Sequence, residues 1–203
     1  MNKEIKVVIF DVDDTLIYTI ETAYKKTNKA GKKIFNVDLK KNEFIKLYGK
    51  YSFVKCIKQW YNTDKTEDFV REYNNIKMEY EYVGNLDKII NKLKKQNKIV
   101  GIVTNSTKEK TKKKLKEYIR LFDFIYYNAE KPNITAIVAI INKYHVSNDE
   151  VVFIGDSEND YQASKSSRIN FCGVNTGKNN WNETNVMFIN SINDLLEEGK
   201  IVI

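Results

Sequence analysis

Val7-Val8-Ile9-Phe10-Asp11-Val12-Asp13-Asp14-Thr15-Leu16 decides the fold of this chain: an apolar run of β-branched and aromatic residues delivers a cluster of carboxylates to the start of a turn. Apolar residues in sequence, without polar alternation, predict a strand buried on both faces. Such strands in open α/β sheets present ligand sites at their carboxyl ends. The acids at 11, 13 and 14 repel one another there. A divalent cation relieves the repulsion, since a hard ion such as Mg²⁺ takes oxygen ligands and leaves room for a substrate phosphate. The plainer alternative is an acidic turn that caps a following helix.

Three segments further along end in groups that could face the same cleft. Ile99-Val100-Gly101-Ile102-Val103 runs into Thr104-Asn105-Ser106, whose hydroxyls and amide suit phosphate oxygens, with a helix N-terminus behind them. Lys131-Pro132 contains the only proline of the chain, placed to open a helix at its first turn. Val151-Val152-Phe153-Ile154 leads into Gly155-Asp156-Ser157-Glu158-Asn159-Asp160, which puts more carboxylates at a strand end. Each segment alone reads as an ordinary cap or a solvated lysine.

Together, and in this order, the four segments resemble the haloacid dehalogenase superfamily, whose motifs are a DxDx[TV] strand end, a Ser/Thr strand end, a Lys and a GDxxxD strand end. The strand and Gly-ended loop Ile169 to Gly177 look like those of phosphoglycolate phosphatase-like members. The resemblance implies an α/β fold: a Rossmann-like parallel sheet flanked by helices, with a small α-helical cap inserted after the first strand. It implies a hydrolase of phosphoric monoester bonds, acting on a small phosphorylated metabolite with Mg²⁺ as cofactor. Asp11 would be the nucleophile and Asp13 the general acid and base. Lys131 would orient Asp11 and offset phosphate charge, and Thr104 and Asn105 would hydrogen-bond the transferring group. Asp11, the Asp13 backbone carbonyl and Asp156 would hold the metal, with Asp160 behind them.

Parallel strands need a crossover of a dozen or more residues, yet Ile17 to Lys98 is several times that and patterns largely as helices. Phe44, Ile45, Leu47, Tyr48, Val54, Ile57 and Trp60 give apolar faces broken at Gly49, and a further helix is expected from Thr66 to Tyr82. The expected division is therefore a core of residues 1–17 and 85–203 and a helical cap of 18–84. The cap should choose the substrate, with Tyr48, Gly49 and Lys50 as candidate specificity residues. The chain departs from the family pattern in three places. Asp14 stands where many members have Gly, Tyr18-Thr19 replaces a usual Asp-Ser, and Asn133 follows Lys131-Pro132 without a second proline.

At 203 residues the chain can bury an ample core. It has no apolar run of membrane-spanning length, and Met1-Asn2-Lys3-Glu4 leads into a strand and not a signal peptide, so a cytoplasmic protein is expected. Cys56 and Cys172 are read as reduced core thiols, and His145 as a helix-end residue. The net charge of +7 rests partly on Lys25 to Lys33 and on Lys108 to Lys116. In the second run Thr107, Thr111, Leu115, Tyr118 and Phe122 recur at helical spacing, which assigns most of the lysines to a solvated face. No nucleic-acid reading motif accompanies them, so no nucleic-acid partner is expected. A phosphomutase of the β-phosphoglucomutase type would use the same groups and is the alternative activity. A true dehalogenase generally lacks the second Asp and the metal site, so Asp13 and Asp156 argue against it. Oligomeric state is not legible.

Overall fold

The strand expected at the start of the chain is β1 (Val7–Phe10), and all four of its side chains are fully buried. In the computed structural model, which describes residues 4–48, 51–177 and 179–197, it is followed by α1 (Thr19–Phe35), α2 (Lys41–Leu47), α3 (Phe53–Tyr61), α4 (Thr66–Asn75) and α5 (Leu86–Lys95). Strands and helices then alternate: β2 (Ile99–Val103), α6 (Lys108–Leu115), β3 (Phe124–Tyr126), α7 (Thr135–Tyr144), β4 (Val151–Gly155), α8 (Glu158–Ser166), β5 (Asn170–Val174) and β6 (Phe188–Ile189). Every sheet pairing is parallel, in the order β3-β2-β1-β4-β5-β6. The α/β class with a helix-flanked parallel sheet is the one the motifs imply.

Parallel strands are covered on both faces because their crossovers are helical. Val7 and Ile9 of β1, with Val151 and Phe153 of β4, pack against Ala136, Ile137 and Ile140 of α7 and Ala163 of α8. Leu86, Ile89, Ile90 and Leu93 make the buried stripe of α5, which packs along β2. Among the described residues, no helix is long and apolar enough to cross a membrane.

The chain divides into two compact units: Met1–Tyr18 with Tyr82–Ile203, and Thr19–Glu81. The second unit is α1 to α4, held by aromatic contacts around Phe44 and Phe69, with Tyr61 shared by both groups. Its helices differ from the expected ones. The helix beginning at Thr66 stops at Asn75 instead of reaching Tyr82, because Asn74 and Asn75 weaken helical hydrogen bonding where the sequence leaves the apolar period. Pro132 does not open a helix either. The helix α7 begins only at Thr135, with Ile134 as its N-cap, and the Asn133 side chain accepts from Thr135 N at 2.8 Å and from Thr135 Oγ1 at 2.6 Å.

Candidate active site

The register of the three middle strands builds the site. Phe10 pairs with Ile102 on one side and Ile154 on the other, so Asp11, Thr104 and Asp156 all leave the same edge of the sheet. Asp11 N extends the ladder by donating to Ile154 O at 3.0 Å, and Thr104 N donates to Tyr126 O at 3.0 Å. Because β2 and β3 lie to one side of β1 and β4 to β6 to the other, Asp11 stands where strand order reverses. Open α/β sheets bind their ligands at such points.

Lys131 reaches this point from the loop before α7. Its ammonium, with a side chain only 4% exposed, donates to Asp11 Oδ1 and to Asp160 Oδ1, each at 2.5 Å, and lies 5.3 Å from the centre of the Phe153 ring. Burial acts to lower its pKa, but the two carboxylates outweigh that and hold it above the ordinary lysine value. For Asp11 burial dominates and raises the pKa to about 7; Lys131 opposes the shift, while Asp160 and Asp13 reinforce it. Asp156 is pushed well above the carboxylate range, first by burial and then by Asp11, Asp160 and Asp14.

The fourth motif has a steric explanation. A Cβ on Gly155 would stand 2.6 Å from the Asp160 carboxyl carbon, so only glycine lets that side chain fold back over the strand end. Asp160 is fully buried. Its Oδ2 accepts from Ser157 N at 3.1 Å and Ser157 Oγ at 2.6 Å, closing a capping box at the start of α8. A Cβ on Gly177 would meet Asp156 Oδ2 at 1.8 Å, and Asn179 Nδ2 donates to Asp156 O at 2.8 Å. Thr176 Oγ1 donates to Asp14 O. The Gly-ended loop after β5, recognised in the sequence only as a family likeness, thus shapes the acidic end of the site.

Asp11, Asp156 and Asp160 each bring a carboxylate oxygen within 4.8 Å of the others. This oxygen-only donor set, in which burial first and neighbouring carboxylates second push Asp11 and Asp156 upward in pKa, fits a hard divalent cation. Lys131 and Ser157 already occupy both oxygens of Asp160. The Asp156 carboxylate accepts no hydrogen bond from the described residues.

Other candidates fall differently from the sequence expectation. The Asn105 side chain, expected to hydrogen-bond the transferring group, is exposed and engages the Lys131 main chain. It accepts from Lys131 N at 2.7 Å and donates to Lys131 O at 3.3 Å, fixing the main chain that carries the lysine. Thr104 is buried, and its hydroxyl accepts from Ser106 N at 3.1 Å, which leaves its own proton to give. Asp13 is held by Ser106, whose hydroxyl donates to Oδ2 at 2.9 Å, and by Lys114, which donates to Oδ1. The solvated-face assignment is therefore wrong for Lys114, although Lys112 and Lys113 are exposed. The spacing carried the signal: Lys114 lies three residues after the buried Thr111, on the same side of α6. Tyr48 stacks on Phe44 with ring centres 4.6 Å apart, and Gly49 and Lys50 lie outside the described residues.

The chain belongs to the haloacid dehalogenase-like hydrolase family, which it matches over residues 8–174. It is 26% identical over 181 residues to the "Putative pyrophosphatase PpaX" of Clostridium perfringens, covering 84% of each chain. Among solved structures, a "predicted phosphoglycolate phosphatase" from Haemophilus somnus 129PT superposes with a TM-score of 0.72 at 20% identity, over 96% of this chain and 97% of that one. A "putative beta-phosphoglucomutase" from Thermotoga maritima gives 0.75 at 15% identity, over 95% and 97%.

Proposed function

We propose that this chain is a magnesium-dependent phosphatase that hydrolyses a small soluble phosphomonoester through an aspartyl-phosphate on Asp11. The buried Asp11–Lys131 pair at the switch point, with Asp156 and Asp160 converging beside it, carries this assignment. A phosphate monoester is a dianion that resists attack, so the site must neutralise charge, position a nucleophile and supply a proton to the departing oxygen. Lys131 holds one Asp11 oxygen and leaves the other to attack phosphorus, while the bond from phosphorus to the leaving oxygen breaks and Asp13 gives that oxygen its proton. Asp13 then takes a proton from water as the water oxygen attacks phosphorus. The bond to Asp11 breaks, which restores the carboxylate and frees inorganic phosphate. The Thr104 hydroxyl donates to the phosphoryl oxygens, and Asn105 serves by fixing Lys131. Held by Asp11, the Asp13 carbonyl and Asp156, Mg²⁺ would neutralise charge building on the transferring group. Substrate choice we assign to the helical unit.

The test is phosphate release by purified protein from p-nitrophenyl phosphate and from a panel of phosphorylated metabolites. The panel includes pyrophosphate and hexose phosphates because the named relative and one structural neighbour point to them. Turnover is expected with Mg²⁺, to vanish in excess chelator, and to fall by at least about a thousandfold, roughly 4 kcal/mol of barrier, in Asp11→Asn. An Asp11→Asn protein within about tenfold of wild type excludes Asp11 as the nucleophile.

A further inference from the structure

Lys114 belongs to a run of lysines on α6, but its side chain is only 12% exposed and its ammonium turns inward to Asp13 Oδ1. It also donates to Ser106 Oγ at 3.4 Å, while that hydroxyl gives its proton to Asp13 Oδ2 at 2.9 Å. Both carboxylate oxygens are thus gripped by two donors that are themselves linked, a closed triangle that restrains the side-chain torsions of Asp13. The backbone that carries the lysine is anchored as well. Lys114 O accepts from the Tyr82 hydroxyl at 3.3 Å, and the Tyr82 ring packs edge-on against Tyr118, with centres 4.8 Å apart.

We infer that Lys114, with Ser106, is a positioning residue for Asp13: the triangle keeps the carboxyl group aimed so that it can hand its proton to the leaving oxygen. This rests on the phosphatase reading above. A proton donor works only when held within hydrogen-bonding reach of the departing atom, and an exposed, rotating aspartate would spend little time there. Asp13 is 34% exposed, so its own packing does not fix it.

The role has a kinetic signature that general destabilisation would not produce. An alkoxide is too basic to depart unprotonated, whereas nitrophenolate departs as the anion. The ratio kcat/KM reports steps only up to that first cleavage, before the water step that all substrates share. Wild type, Lys114→Met, Lys114→Arg, Ser106→Ala and the exposed-lysine control Lys113→Met are assayed with Mg²⁺ on p-nitrophenyl phosphate and on the best alkyl phosphate of the panel. Lys114→Met should lose at least about tenfold in kcat/KM on the alkyl ester and less than about twofold on the aryl ester. Lys114→Arg should recover most of the loss, Ser106→Ala should show a smaller loss of the same kind, and Lys113→Met should match wild type. If Lys114→Met does not fold, Ser106→Ala decides by the same comparison. Equal losses on both esters, or none on either, in an active wild-type background overturn the positioning role alone. A wild type inert toward every phosphate overturns the phosphatase reading and this inference with it.

Discussion

At the scale of single residues the site is a problem of unbalanced charge. Among the described residues of the site, one buried cation, Lys131, meets three buried carboxylates, Asp11, Asp156 and Asp160. Unpaired buried charge is costly, and carboxyl groups escape the cost by keeping their protons. In the unfolded chain Asp11 ionises near the ordinary value of about 3.9, whereas in the fold it holds its proton to about 7. Between those values the folded form binds a proton that the unfolded form has released. The contribution of Asp11 to stability is therefore greatest below about pH 4 and is lost as the pH climbs to about 7. The melting temperature of metal-free protein should decline over that range more steeply in wild type than in Asp11→Asn. Added Mg²⁺ should raise it more at pH 7.5 than at pH 5, because the ion must displace protons at the lower pH. Equal slopes for the two proteins, or an equal response to Mg²⁺ at both pH values, would contradict the charge argument.

Among the elements, those with unbroken chemistry were legible and those set by tertiary contact were not. β1, β2 and β4 are continuous apolar runs ending in polar groups, so their existence and the placement of Asp11, Thr104 and Asp156 could be read directly. β6 has two residues, Phe188 and Ile189, too few for any period, and it forms only because β5 offers an edge. The role of Asn105 was hidden because its partner, the Lys131 main chain, is distant in sequence and near only in the fold. Gly31 is another such case. In the middle of α1 glycine is the poorer helix former by about 1 kcal/mol against alanine, which makes Gly31→Ala look stabilising from sequence. Yet a Cβ there would stand 2.2 Å from the Tyr61 hydroxyl, and Tyr61 cannot retreat. Its hydroxyl donates to Thr27 O at 3.0 Å, and its ring lies 5.1 Å from Phe35 and 5.2 Å from Phe69. Gly31→Ala should destabilise the helical unit by about 1–3 kcal/mol, as overpacking does. Chemical denaturation measures it, and a gain in stability would show that the ring yields.

For the whole molecule, connectivity matters more than any single contact. The chain leaves the sheet unit after Tyr18 and returns at Tyr82, and the two crossing points are stitched together: Val83 N donates to Leu16 O at 2.9 Å, and Ile17 forms an antiparallel bridge with Tyr82. The sheet unit has its own buried interior, with α7 and α8 on one cluster of β1 and β4 side chains and the buried stripe of α5 along β2. A variant in which Thr19–Glu81 is replaced by a short Gly/Ser linker should therefore melt cooperatively with the circular dichroism of an α/β protein, while losing discrimination within the metabolite panel. Loss of cooperative melting would mean that the sheet unit is not self-sufficient. Because the bridge between Ile17 and Tyr82 closes the same short gap whatever lies between them, the length and content of the intervening segment are nearly free of entropic consequence for the sheet. One insert can thus be exchanged for another while the aspartates and the lysine stay where they are, and, on the proposed assignment of substrate choice to the helical unit, the substrate range would change with it.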